Sequence, residues 1–157
     1  MRGFVGDIEE MTEENSDFRR VLYTAHQMQL VLMALRPGEE IGEETHNDRT
    51  QFFRVEEGTG EVWIDGTRTK IKGDTAIIVP AGARHNIRNT GEKPLKLYTL
   101  YAPPEHIDGT VHVTKAMQRL PKSISTERPA SSNYWHWKVL FAKMPAFQGG
   151  EYCWSRT

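Results

Sequence analysis

The chain has 157 residues and a mass of 18.0 kDa, the length of one domain and enough to bury a core without disulfides. Lys+Arg 20 against Asp+Glu 21 leaves a net charge of −1, which excludes a nucleic-acid partner held by a bulk basic surface. The single thiol, Cys153, excludes an intramolecular disulfide framework.

Residues 1–15 are polar and acidic, without the basic start and apolar stretch of a secretory leader, so a cytoplasmic location is expected. The carboxylate run over residues 7–15 predicts a solvated arm. From Phe18 onward short apolar segments alternate with turn residues, the pattern of an antiparallel sandwich or barrel. Strands are expected at 20–24, 28–35, 51–56, 61–64, 69–71, 75–79, 85–88 and 95–101. The longest apolar run, 30–35, is far too short to span a membrane. Asp65-Gly66 between two such segments predicts a two-residue hairpin, because both central positions need positive φ. Pro103-Pro104 ends the last strand by removing two donors. A short helix is expected at 114–120 and a wrapping or linking segment at 121–133. The tail holding Tyr134, Trp135, Trp137, Phe141, Phe147, Tyr152 and Trp154 is too aromatic for a disordered end, and packing on the barrel or on a partner subunit is expected. The division is an N-terminal arm (1–19), a barrel (20–104) and a C-terminal extension (105–157).

Two segments carry chemistry: Gly38-x5-Glu44-x-His46-x4-Gln51-x6-Gly58 and Gly73-x6-Pro80-x-Gly82-x2-His85-x3-Asn89. Glu44 and His46 are two apart, so on an extended strand they share a face. Gln51 is reachable from the next strand, and closure of a barrel brings His85 in from a distant one. A carboxylate, two imidazoles and an amide oxygen on one face suit a divalent metal ion. The competing reading makes Glu44 a surface residue, Gln51 a hydrogen-bonded core amide and His85 a donor to a backbone carbonyl. Phe53, in register with Gln51, and Ile87, in register with His85, should line the pocket as apolar wall; Tyr23, Tyr98 and Tyr101 are on strands and could offer a hydroxyl, and of these Tyr98 is the third candidate for contact with a small-molecule ligand. Arg54 and Arg88 should point outward. His26, His106, His112 and His136 read as loop or packing histidines.

The two segments resemble the two signature motifs of the cupin superfamily. Gly38, His46 and Gly58 fall in the register of the first motif, and Pro80, Gly82, His85 and Asn89 in that of the second. The resemblance implies an all-β fold, a single-domain conserved-barrel cupin with the RmlC-like jelly roll of a double-stranded β-helix. It also implies a metal in the barrel mouth, held by Glu44, His46, Gln51 and His85. Glu44 stands where most metal-binding cupins have a first histidine, and Gln51 where they have a glutamate. The carboxylate has therefore changed position while the total stays at one. A mixed N/O set without thiolate is compatible with Fe, Mn, Ni, Co or Zn. The resemblance further implies a homodimer paired through N-terminal strands, with 20–24 as the edge to be covered. The function expected is a metal-binding cupin acting on a small polar hydroxy-carbonyl or sugar-acid-like substrate, by isomerisation or tautomerisation or as an Fe(II) dioxygenase. The alternatives are a non-catalytic small-molecule-binding module and an assembly role for the aromatic tail.

Overall fold

The computed structural model describes residues 3–119. The expected linker, the aromatic tail, His136 and Cys153 lie outside the described residues. In chain order the elements are α1 (Ile8–Glu14), β1 (Arg19–Thr24), β2 (Gln29–Leu35), β3 (Glu44–Thr45), β4 (Thr50–Glu57), β5 (Thr59–Ile64), β6 (Thr67–Lys72), β7 (Ala76–Val79), β8 (Arg84–Asn89), β9 (Leu95–Ala102) and β10 (Val111–His112). They form two antiparallel sheets, ordered β10-β1-β2-β9-β4-β7 and β3-β8-β5-β6. This is the jelly-roll barrel that the strand spacing predicts.

Alternation decides what enters the barrel. Along β9, Leu95, Leu97, Thr99 and Tyr101 are buried, while Lys96, Tyr98 and Leu100 face the other way and are half-buried. Along β4 the inward set is Gln51, Phe53 and Val55, and along β8 it is His85, Ile87 and Asn89. One end of the interior is aliphatic, and the other collects the polar side chains.

The acidic N-terminal stretch is not a solvated arm. Asp7 caps α1 by accepting a hydrogen bond from the Glu10 amide at 3.1 Å, and Glu9 and Glu10 complement the positive end of the helix. Seven residues are too few to hold a helix in isolation. Packing holds it: β2 is apolar on both faces, and its outward Leu32 and Ala34 need a cover. The helix lies over β2, β4 and β9 and buries Met11 and Thr12 there. The charge run is therefore the outer face of an amphipathic helix of about two turns. The edge of β1 is also closed in part, because β10 pairs with it at Arg19↔His112 and Arg20↔Val111. The helix expected at 114–120 is a single 3-10 turn, Lys115–Arg119.

Turn chemistry fixes register. Asp65 and Gly66 have φ of 47° and 82°, the two positive values that a type I′ hairpin requires between β5 and β6. Gly58 has φ of 93°, and a Cβ there would sit 2.6 Å from the Pro94 carbonyl oxygen, so only glycine fits. Asn89, fully buried, ties three segments: its Nδ2 donates to the carbonyls of Leu35 at 2.9 Å and Lys93 at 2.8 Å, and its Oδ1 accepts from the Gly91 amide at 2.9 Å. Truncation would leave the buried Leu35 carbonyl without this donor, at about 1–3 kcal/mol, and would loosen the half-buried contacts to Lys93 and Gly91. Asn89→Ala is expected to destabilise the fold by about 3 kcal/mol. Urea unfolding checks this, with a fall in midpoint at constant slope expected and an unchanged midpoint the contrary outcome.

Candidate metal centre

The site is assembled by strand register. Glu44 on β3 stands directly opposite His85 on β8. His46 follows on the same side, and the Gly82 amide donates to its carbonyl at 2.8 Å, tying the loop of one motif to that of the other. Gln51 arrives from the facing sheet, where it pairs with Tyr101 on β9 and Val79 on β7. One ligand atom from each of Glu44, His46 and His85 can be chosen so that all lie within 4.8 Å of one another. His46 Nε2 is 3.4 Å from Glu44 Oε2, and His85 Nε2 is 3.2 Å from Gln51 Oε1. His85 is 1% exposed, whereas Glu44 and His46 are 18% and 17% exposed. The cluster thus opens at the barrel mouth and closes at His85.

The donor set calls for a cation. In the tautomer that places the proton on Nδ1, His85 donates to the Ala83 carbonyl at 3.2 Å and keeps a lone pair on Nε2. Gln51 Nε2 donates to Thr99 Oγ1 at 3.0 Å, which turns Oε1 toward that lone pair. Two acceptors then face each other at 3.2 Å in a buried site. Burial lowers the pKa of His85, so protonation of the ring does not relieve this. Gln51 and His85 do make the core hydrogen bonds of the competing reading, and those same bonds aim their free acceptors at the centre. Burial opposes ionisation of Glu44, but the hydrogen bond to His46 and the charge of Arg19 outweigh it and hold the carboxyl below its ordinary pKa. The Glu44 hydrogen bond raises the pKa of His46 against the effect of burial. Glu44, His46 and His85 fit a divalent ion of the two-histidine, one-carboxylate type, and Gln51 Oε1 lies within reach as a fourth, weaker donor.

The surroundings correct one sequence expectation and refine another. Phe53 sets its ring edge against His85 with centroids 6.1 Å apart, and Ile87 is buried in the core one inward position further along β8. Tyr98 does not line the site. It pairs with Arg54 and Leu32 on the outer face, beside Glu56 and Phe52. The inward tyrosine is Tyr101, one strand alternation away, and its ring meets His46 edge-on at 6.0 Å. His106 lies in the loop between β9 and β10, as expected, but that loop is anchored: Gln29 holds the His106 backbone at both ends, and the His106 ring packs on Tyr101 at 5.1 Å. Arg19, Arg49 and Glu105 also reach the mouth. Arg49 pairs with Glu105 at 2.5 Å, and Glu105 lies 3.8 Å from His46 Nδ1. Arg19 was discoverable, because it shares the inward parity of Val21 on β1. His106 and His112 carry no such signal, since they follow the proline break.

An antiparallel barrel with a mixed nitrogen and oxygen donor cluster at one end defines a small β-barrel protein with a candidate metal site. Comparison with known proteins places it more narrowly. The description "Cupin domain" matches residues 31–101. The YrkC protein of Bacillus subtilis is 46% identical over 119 residues, covering 72% of this chain and 64% of that protein, so the match spans a little under two thirds of its length. Polyketide synthase CurC of Streptomyces cyaneus is 31% identical over 105 residues, covering 63% of this chain and 67% of its own. A crystal structure from Bacillus halodurans superposes with a TM-score of 0.74 at 48% identity, covering 74% of this chain and 93% of that one. The chain belongs to the cupin superfamily.

Two predictions follow from the geometry. His46→Ala and His85→Ala should each abolish retention of a divalent ion measured by elemental analysis, while Gln51→Ala should only weaken it, because a neutral amide is the poorest donor of the four. Stoichiometric metal in both histidine variants would be the contrary result. The second concerns pH. Burial holds His85 and His112 below the ordinary histidine range and pushes His106 down to about 3. The unfolded chain therefore takes up more protons than the folded one between about 3 and the free-histidine pKa of about 6.5, and stability present above that window is lost as pH falls through it. The urea midpoint of chelator-treated protein should drop between pH 7 and pH 5, and His106→Asn should shrink the drop. A variant with the full drop would remove His106 as a cause.

Proposed function

We propose that this chain is a metal-dependent enzyme that isomerises or tautomerises a small hydroxy-carbonyl or sugar-acid-like substrate. The observation that carries the reading is the pair of facing acceptors at the centre of a two-histidine, one-carboxylate cluster, open to solvent on one side only. When bound, a divalent ion there supplies Lewis acidity toward a carbonyl or enediol oxygen.

The protein's own residues do the rest. Glu44, His46 and His85 give the centre a single negative charge, so a net positive charge remains to favour an enolate-like oxygen. His85 is fixed in one tautomer by Ala83. Phe53 and Tyr101 exclude water from the inner side. Glu105, 3.8 Å from His46 Nδ1 and 31% exposed, is the carboxylate placed at the mouth to accept a proton, and its pairing with Arg49 holds it there. The likeness to polyketide synthase CurC supports the reading, since polyketide chains are built of alternating carbonyls that chelate metals and enolise readily.

The same two-histidine, one-carboxylate set favours Fe(II) oxygen chemistry as the second reading. One experiment separates them. Protein loaded with Fe, Mn, Ni, Co or Zn in turn is incubated in deuterated water with acetylacetone and with dihydroxyacetone. Metal-dependent deuterium incorporation that is lost in His46→Ala is expected. Oxygen consumption with Fe alone would select the dioxygenase. Binding of the probes without exchange or oxygen uptake would overturn both and leave a non-catalytic module.

A further inference from the structure

Beside the metal cluster lies a second set of polar groups that the proposed function does not use. Arg19 projects from β1 into the barrel with a side chain only 2% exposed. Its Nη2 is 3.8 Å from Glu44 Oε1, beyond hydrogen-bond range, and its Nε has no partner. His112 is its cross-strand neighbour, with Nδ1 also buried and unpartnered. His106 lies within the field of the same guanidinium, and its Nε2 is unpartnered as well. Of the four buried side-chain atoms without a hydrogen-bond partner among the described residues, three therefore belong to one neighbourhood. The fourth, Arg54 Nε, is on the outer face.

Unsatisfied buried polar groups are costly, and a buried guanidinium nitrogen without an acceptor, as Arg19 Nε is, is among the costliest. What is missing is an acceptor. A guanidinium offers a planar fork that matches a carboxylate, and two neutral imidazoles can add donors at its flanks. A second consideration points the same way. Glu44 is the carboxylate paired with Arg19 among the described residues, and a divalent ion would claim it. Glu44, the ion and Arg19 together then carry a net charge of +2. A neutral ligand leaves that charge unanswered.

We propose that Arg19, with His106 and His112, clamps the carboxylate of the substrate, so that the substrate class is a small hydroxy- or oxo-carboxylic acid whose second oxygen faces the metal cluster. The proposal rests on the metal-centre reading and names its substrate class. Arg19 is a binding residue here in addition to being the charge beside Glu44.

The test uses lactate and its uncharged analogue lactamide as probes, with calorimetry on metal-loaded protein and elemental analysis in parallel. Wild type should bind lactate more tightly than lactamide by on the order of tenfold or more. Arg19→Gln should lose that preference while keeping its lactamide affinity and its metal content. Arg19→Lys, which retains charge but not the fork, should recover part of the preference, and it stands in if the glutamine variant fails to fold. A metal-loaded wild type that shows no preference overturns the clamp alone. A glutamine variant that keeps the preference but loses metal also overturns it, and makes Arg19 a support for Glu44. A wild type that holds no metal yet shows the Arg19-dependent preference overturns the metal reading and leaves the clamp standing.

Discussion

Glu44 faces His85 across β3 and β8, and the rest of the site is built around that pair. β3 is only two residues long, so this register is set from outside it. The Glu40–Arg88 bridge holds the strand upstream, the Gly82 amide holds His46 downstream, and Asn86 Oδ1 accepts from the Gly42 amide. Slipping β3 by one residue would turn Glu44 and His46 to solvent together, because side chains alternate faces. Much of the backbone hydrogen bonding between the two motif segments therefore protects one pairing, which would matter little for the hydrophobic core and is decisive for the cluster.

The barrel tolerates a polar interior at this end because the aliphatic end supplies the core. Phe18, Val31, Met33, Leu35, Val55, Leu95 and Leu97 are essentially inaccessible, and each buried side chain of this size contributes about 1.5–3 kcal/mol. The helix α1 extends the apolar region to the far side of the six-stranded sheet. That reserve lets Arg19, Gln29, Gln51, His85 and Thr99 be buried without the fold collapsing around them. Gln29 is fully satisfied, donating to Thr24 and the His106 carbonyl and accepting from the amides of Glu105 and His106. The contrast with Arg19 is informative: a fully buried amide on the neighbouring strand has all its partners, so burial by itself does not explain the unpartnered Nε.

The sequence made the barrel legible because turn residues and alternation are local signals. Asp65-Gly66 can do little else, and Gly58 marks a close approach that no other residue permits. The cluster of Glu44, His46 and His85 was legible for a different reason: parity puts Glu44 and His46 on one face of an extended segment, and the motif resemblance, not parity, brings in His85. The outer layer was not. A carboxylate run gives the same composition whether it is solvated or is the exposed side of a short helix, and only the uncovered Leu32 and Ala34 on β2 decide between them. Tyr98 and Tyr101 differ by a single parity error. Both are aromatic and both lie on β9, and the choice turns on pairing with Gln51 in a strand far away in sequence.

His106 and His112 show where local reasoning ends. They stand beyond a double proline and on either side of the Asp108-Gly109 turn, which in isolation describes a surface loop. The chain after that turn instead returns to pair with β1, and Gln29 grips the His106 backbone from inside the sheet. Those two contacts convert loop residues into lining for the polar end of the barrel. Their rings stay neutral because burial and the charge of Arg19 both disfavour the imidazolium. A neutral ring beside a buried cation repels it least and can still donate to an incoming oxygen. The segment that closes the edge of the sheet is thus also the segment that completes the surroundings of Arg19, and edge protection and ligand recognition are met by the same residues.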